Sequence, residues 1–197
     1  MIRHLVSGTL GVLILSLVIA PPSAAGNLTP QVSTTVLINE IFPKGQFGET
    51  DEFLELRNVS TVPVDLTGFT LRFYSSNCLP AYTLDLPQDL VLQPKNSVGQ
   101  YVALTGPYFS GTIDDQTNIV LLPDFRDLMP AYSGSVALHN LPGSRVDAVG
   151  WSTPCLREGG PARTPPPGLS LSRNHLSRDT DNNRTDFTAT PPSAGAQ

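Results

Sequence analysis

Lysine is nearly missing from this 197-residue chain; Lys44 and Lys95 are its only two. Lys and Arg together number 12 against 17 Asp and Glu, a formal net charge of −5. Nucleic-acid binding needs clustered cations to displace counterions from phosphates, and no basic block exists to do it. The same shortage removes the polybasic patch that an anionic membrane surface attracts. Cysteine is limited to Cys78 and Cys155, with no C-x-x-C redox pair and no Cys/His zinc spacing. Histidine is limited to His4, His139 and His175. No G-x-S-x-G elbow, H-E-x-x-H, P-loop or G-x-G-x-x-G occurs, and scattered Ser, His and Asp do not make a triad without geometry. The expectation is a protein that is not an enzyme, with no cofactor. Beyond the first residues no apolar run is long enough to span a membrane, and no long 3.6-residue apolar period appears.

The first 25 residues read as a secretory signal peptide. Arg3 and His4 give a basic start, Leu5 to Ala20 is apolar, and Ser23 and Ala25 offer small residues at a cleavage site. The rival reading is a retained anchor; the apolar run falls short of the ~20 residues a spanning helix needs, and Gly8 and Gly11 dilute it. Export implies an oxidising compartment, in which two lone cysteines form a disulfide, Cys78 to Cys155. The expected location is secreted or envelope-associated, in a bacterium. The sequons at Asn27, Asn58 and Asn183 then carry no glycan.

What the chain has in quantity is short strand-like segments with turn residues between them. Phe69, Leu71 and Phe73 alternate with Thr70, Arg72 and Tyr74, the period-two pattern of a strand with one buried face. Leu54 and Leu56 alternate less cleanly, because Phe53 puts an apolar residue on the second face. Val36, Leu37 and Ile38 form a continuous run, as in a strand covered on both sides. Further strands are expected near 81–86, 90–92, 100–104, 119–122 and 169–173. The strongest hairpin is 134–140 with 145–151 around Leu141-Pro142-Gly143-Ser144. One helical turn is expected within Asp124 to Tyr132. Many short strands punctuated by Pro and Gly argue for an all-β, antiparallel sandwich. The division expected is a leader over 1–25, an arm over 26–34, a sandwich domain over 35–192 and a disordered tail over 193–197.

Several segments, in order, resemble the lamin tail domain. They are Val36–Ile41 (VLINEI), Asp51–Asn58 (DEFLELRN), Val64–Leu71 (VDLTGFTL), Gly134–Leu138 (GSVAL), Val146–Trp151 (VDAVGW), Ser170–Arg173 (SLSR) and Asp186-Phe187. The resemblance implies an immunoglobulin-like β-sandwich that serves as a binding or accessory module, with no catalytic residues. The stretch from Cys78 to Tyr132 departs from the family pattern. No coiled-coil rod or nuclear signal accompanies the domain, so filament assembly does not carry over.

Three constellations could carry chemistry. Glu40 and Glu55 lie on strands able to pair, where two acids can bind a cation or exchange a proton; strand-edge acids, solvated or hydrogen-bonded to loop backbone, are the plainer reading. Asp179, Asp181, Asn183 and Asp186 open like a calcium loop, with alternate oxygens free to converge on one hard cation. Arg184 stands where such a loop has glycine and Thr190 where it has glutamate, so an Asx-rich turn is the competing reading. Trp151, the one tryptophan, suits a core more than a sugar platform. The function expected is non-catalytic binding of an envelope component or partner protein. The alternatives are a structural or adhesive envelope domain that pairs through sheet edges, and a small metal-dependent hydrolase using the Asp179–Asp186 loop.

Overall fold

The computed structural model describes residues 32–48, 50–75, 79–122 and 127–196. The leader, the proposed arm up to residue 31 and Cys78 lie outside the described residues; among the described ones no cysteine is free.

The architecture is an all-β sandwich of immunoglobulin-like type. One sheet has six strands in the order β12-β11-β1-β2-β7-β8. These are β1 (Val36–Phe42), β2 (Phe53–Asn58), β7 (Tyr101–Thr105), β8 (Ile119–Leu121), β11 (Ser170–Ser172) and β12 (Thr188–Thr190). The facing sheet has the order β10-β9-β4-β5, built from β4 (Thr70–Tyr74), β5 (Pro80–Asp85), β9 (Gly134–His139) and β10 (Arg145–Trp151). A two-stranded piece joins β3 (Val64–Asp65) to β6 (Val91–Leu92).

The alternation read from the sequence sets which side chains meet. Leu71 and Phe73 on β4, Val136 and Leu138 on β9, and Leu54 and Leu56 on β2 share one core with Ile38, Ile41, Val102, Val149 and Trp151. Trp151 is fully buried, and its indole N–H donates to the Pro130 carbonyl at 3.1 Å. β1 and β2 are buried along their whole length, so both faces of the six-stranded sheet are covered. Phe53 packs on the outer face with Phe42, Phe109, Ile113 and Ala194, its ring centroid 5.0 Å from that of Phe109. That second small core is the reason its apolar side chain broke the alternation.

Three features differ from expectation. β8 runs parallel to β7, with Ala103 beside Ile119, because the long loop between them carries the chain back before it pairs. Among described residues the one helix is α1 (Asn183–Asp186), inside the polar loop; residues 127–132 of the expected turn are not helical, and residues 124–126 lie outside the described set. Residues 193–196, expected to fray, lie against the outer face of the six-stranded sheet. Buried side chains hold them there.

Candidate binding groove and its acidic supports

The outer face of the six-stranded sheet carries a polar row that period-two geometry projects from β1 and β2: Glu40, Glu55 and Arg57. Glu40 and Glu55 are directly opposite each other in the β1–β2 register, after a bulge at Asn39. Both are fully buried. Glu55 accepts from the Asn39 amide at 2.6 Å and from the Gly195 backbone N–H at 2.5 Å. Glu40 accepts from the Ser193 N–H at 3.0 Å and the Ser193 hydroxyl at 2.7 Å. Two carboxyls thus clamp the 193–195 segment by its backbone. Burial pushes Glu55 up to about 8, against the hydrogen bonds from Gly195 and Asn39; the neighbouring Glu40 adds to the rise. Burial also raises Glu40, opposed by serine hydroxyls at 170, 193 and 172.

Next along the row, Arg57 lies over the Tyr101 ring at 5.1 Å and donates to Gln100 at 3.2 Å and to the Ser177 hydroxyl at 2.6 Å. Gln100, Tyr101 and Gly195 are also walls of an open groove of about 710 Å³. Asn96, Ser97, Asp114, Asp115, Gln116 and Thr117 complete its polar lining, with Val98 as the apolar member. The loop shapes are fixed locally. Asp115 accepts from the Gly99 N–H at 2.6 Å and the Thr117 N–H at 3.0 Å. Burial raises its carboxyl, but the Thr117 hydroxyl together with the Gly99 and Thr117 N–H groups outweighs it and holds the carboxyl below its ordinary range. Asp114 N–H donates to the Ala194 carbonyl at 2.9 Å, tying the clamped segment to the groove wall. Gly195 has φ +75°, and a Cβ there would meet the Asp115 backbone nitrogen at 2.5 Å, so the close approach requires glycine.

A second polar cluster joins the sheets on the other side. Arg173 is buried, with its guanidinium 2.9 Å from Asp147, 3.1 Å from Asp186 and 3.4 Å from Asp179. It also donates to the carbonyls of Ile38 and Arg178, each at 3.0 Å, and stacks over Phe187. Asp147 caps the Ile38 N–H at 2.6 Å. Glu158 is pushed well up by burial and then by the charges of Asp147 and Asp179. Oxygens of Asp147, Glu158 and Asp179 lie within 4.8 Å of one another, close enough to hold a cation. Arg173 already supplies positive charge to two of the three.

The four residues of the sequence-predicted calcium loop enter this cluster unequally. Asp186 accepts from Thr180, through its N–H at 2.9 Å and its hydroxyl at 2.6 Å, as well as from Arg173. Asn183 turns into the sheet, accepting from Gly150 N–H and Glu158 N–H at 3.0 Å each and donating to the Ala148 carbonyl at 2.8 Å. Asp181 has φ +53°, and its N–H donates to Asp179 at 3.1 Å. The loop therefore has the Asx-turn bonding of its competing reading, with Asn182 capping α1. Sequence reasoning placed Arg173 and Asp147 only within family segments and did not single out Glu158, Asp114 or Asp115. The nearest signal was an arginine on a short apolar strand, which must find acids if it is buried.

His139 is buried with its Nδ1 unbonded, and burial and the charges of Arg72 and Arg145 depress its titration. Its charged neighbours are cations, a poor setting for a catalytic base. His175 is exposed, and its carbonyl accepts from Arg57.

The model of the lamin tail domain matches residues 29–153. The chain belongs to the lamin tail domain family. The match takes in both sheets' central strands and most of the groove, and stops before Glu158, Arg173 and the clamped 193–195 segment. A crystal structure of a DUF4876 family protein from Bacteroides thetaiotaomicron VPI-5482 is similar at 14% identity and TM-score 0.48, over 81% of this chain and 72% of that one. No curated protein matches the chain. Among the described residues no helix is long and apolar enough to cross a membrane.

Proposed function

We propose that this lamin tail domain is an exported, non-catalytic binding module that holds a cell-envelope component or partner protein in the groove. The carrying observation is the groove itself: about 710 Å³, open, and lined by side-chain amides, hydroxyls and carboxylates on loops fixed to a rigid sheet. Such a lining suits a hydrated, donor-rich ligand better than a compact apolar one. Export, leader cleavage and the Cys78–Cys155 disulfide belong to the same proposal and rest on the sequence.

Co-sedimentation with purified envelope material tests it, comparing the protein with a Ser97→Arg/Gln116→Arg variant that fills the rim. Sedimentation lost in the variant supports the groove. Equal sedimentation of both moves binding to another surface, and none in either sinks envelope binding. Repeating the assay with calcium and with chelator tests a metal at Asp147, Glu158 and Asp179, which would have to displace Arg173 from two carboxylates. The structural or adhesive alternative would use a sheet edge such as β5, beyond which no strand lies among the described residues. Among the described residues, the charges beside His139 are the cations Arg72 and Arg145, which lends a hydrolase reading no support.

A further inference from the structure

Pro191 and Pro192 lead the chain out of β12 and lay Ser193 to Ala196 along the outer face of the six-stranded sheet. Among the described residues four hydrogen bonds tie 193–195 to the rest of the chain, and carboxyls accept three of them. Glu40 takes the Ser193 N–H and hydroxyl, and Glu55 takes the Gly195 N–H. The fourth runs from the Asp114 N–H to the Ala194 carbonyl. The Ala194 methyl completes the hold, packed in the small core of Phe42, Phe53 and Phe109.

The same segment covers the two acids that hold it. Glu40 and Glu55 are directly opposite in the β1–β2 register and both fully buried, so two negative charges there would repel without water between them. Their surroundings offer little to balance a second charge. β11 presents the hydroxyls of Ser170 and Ser172 to Glu40, and β7 sets Ala103 opposite Glu55. The segment itself has no charged side chain. Arg57, next along β2, favours the charged form of Glu55, but its guanidinium donates to Gln100, Ser177 and the His175 carbonyl. Tyr101, opposite Arg57, has its phenol pushed up by burial and stays neutral near pH 8, and Asp115 brings a further negative charge beside it. Lifting residues 193–195 lets water reach both acids.

We propose that residues 193–195 are a pH-sensitive latch on the groove: they stay down while Glu55 holds a proton and lift when Glu40 and Glu55 are both charged. The regulatory role rests on the binding reading of the groove, because Gly195 is one of its walls and Ala194 is tied to Asp114 on another. With the segment down, burial holds Glu55 up at about 8; with it lifted, the hydrated carboxyl returns toward its ordinary 4.5. Lifting therefore releases a proton. The lifted-to-closed ratio rises about tenfold per pH unit between those values and levels off above the higher one. Glu40, also raised by burial, acts in the same direction. A ligand seated against Gly195 loses that contact when the latch lifts.

The Ala194 methyl reports the latch without any ligand, because the rings of Phe42, Phe53 and Phe109 shift its resonance while it packs against them. Methyl and carboxyl ¹³C NMR of the full chain from pH 6 to 9 follows it beside Glu55. The methyl is expected to move to its solvent-exposed position with the midpoint of the Glu55 carboxyl, while Trp151 emission stays that of the folded protein. Glu55→Gln, whose amide oxygen can still accept from Gly195, is expected to hold the methyl in place across the range. Should that variant be lifted already at pH 6, Glu40→Gln decides. It keeps both Ser193 bonds, its amide N–H donating to the hydroxyl, and removes the neighbouring charge, so the methyl and Glu55 midpoints should fall together. A Glu55 carboxyl that titrates beneath an unmoved methyl overturns the latch. So does a methyl midpoint that stays put when Glu40→Gln shifts that of Glu55, or a methyl shift that coincides with loss of folded Trp151 emission. Groove-dependent sedimentation with envelope material is expected to fall several-fold from pH 6.5 to 8.5 in the wild type and to hold in Glu55→Gln. An equal fall in both removes the regulatory role, whereas no sedimentation at either pH refutes the groove reading and not the latch.

Discussion

Raising the pH should weaken the fold in a window where most carboxylates are silent. Glu55 titrates at about 8 in the folded protein against an ordinary 4.5, because its burial disfavours the charged form more than Gly195 and Asn39 favour it. Between these values the folded state holds a proton that the unfolded state releases, so stability falls as pH rises. The contribution is fully present below pH 4.5 and gone above about 8. At ~1.36 kcal/mol per pH unit, the loss attached to Glu55 is on the order of 4 to 5 kcal/mol. His139 acts with the opposite sign: its depressed titration makes stability rise with pH up to its ordinary 6.5. Above that value the slope belongs to the buried acids. Urea unfolding followed by Trp151 emission, from pH 5 to 9, measures it. Glu55→Gln is the comparator. Its amide can accept from only one of the two donors that Glu55 serves, costing about 1 to 3 kcal/mol at pH 5. The variant carries no titrating group at this site, so the wild-type advantage should shrink by ~1.36 kcal/mol per pH unit and reverse between about pH 6 and 7. A stability gap between the two that is constant from pH 5 to 9 would refute the reasoning.

Other perturbations follow from the same contacts. Arg173→Ala leaves Asp147, Asp179 and Asp186 without their cation and should cost about 3 to 5 kcal/mol in urea unfolding at neutral pH. Deleting residues 193–197 opens Glu40 and Glu55 to water, so carboxyl ¹³C NMR should show Glu55 titrating well below its full-length value. Reducing the proposed Cys78–Cys155 bridge releases a long loop, for a loss of roughly 4 kcal/mol or less in the chain-entropy model; an unchanged urea midpoint after complete reduction would show that the bridge does not form.

The sandwich was legible because its strands carry one-face burial in their spacing: Leu71 and Phe73, Val136 and Leu138, and the uninterrupted run at Val36 need no partner to be recognised. The lamin tail resemblance added strand order. What the spacing could not show was anything decided by chain segments far apart. β8 lies parallel to β7 because of where a loop delivers it, which no local pattern records. Residues 193–196 look like a loose tail, since Ser, Ala and Gly bury little surface, yet their backbone N–H groups meet two acids on β1 and β2. The Asp179–Asp186 segment has the composition of a cation loop. Its decisive neighbour, Arg173, sits on the far side of a turn, and only the fold brings the guanidinium among the carboxylates.

These long-range contacts also give the groove its physical character. Gly195 is at once a wall of the groove and a donor to Glu55, and Ala194 accepts from Asp114 on the opposite wall. The shape of the groove therefore depends on carboxyls buried beneath it, outside the solvent and outside any ligand's reach. The clamped segment lies beyond the family match, whereas the loops it braces lie within it. A shared sandwich supplies the platform, and a short stretch outside the family match closes one side of the groove by hydrogen bonds to its backbone. Specificity built this way resides in chain geometry more than in side-chain identity. Substitutions at Ser193 and Ala194 should accordingly matter less to the groove than a Cβ added at Gly195, which would strike the Asp115 backbone.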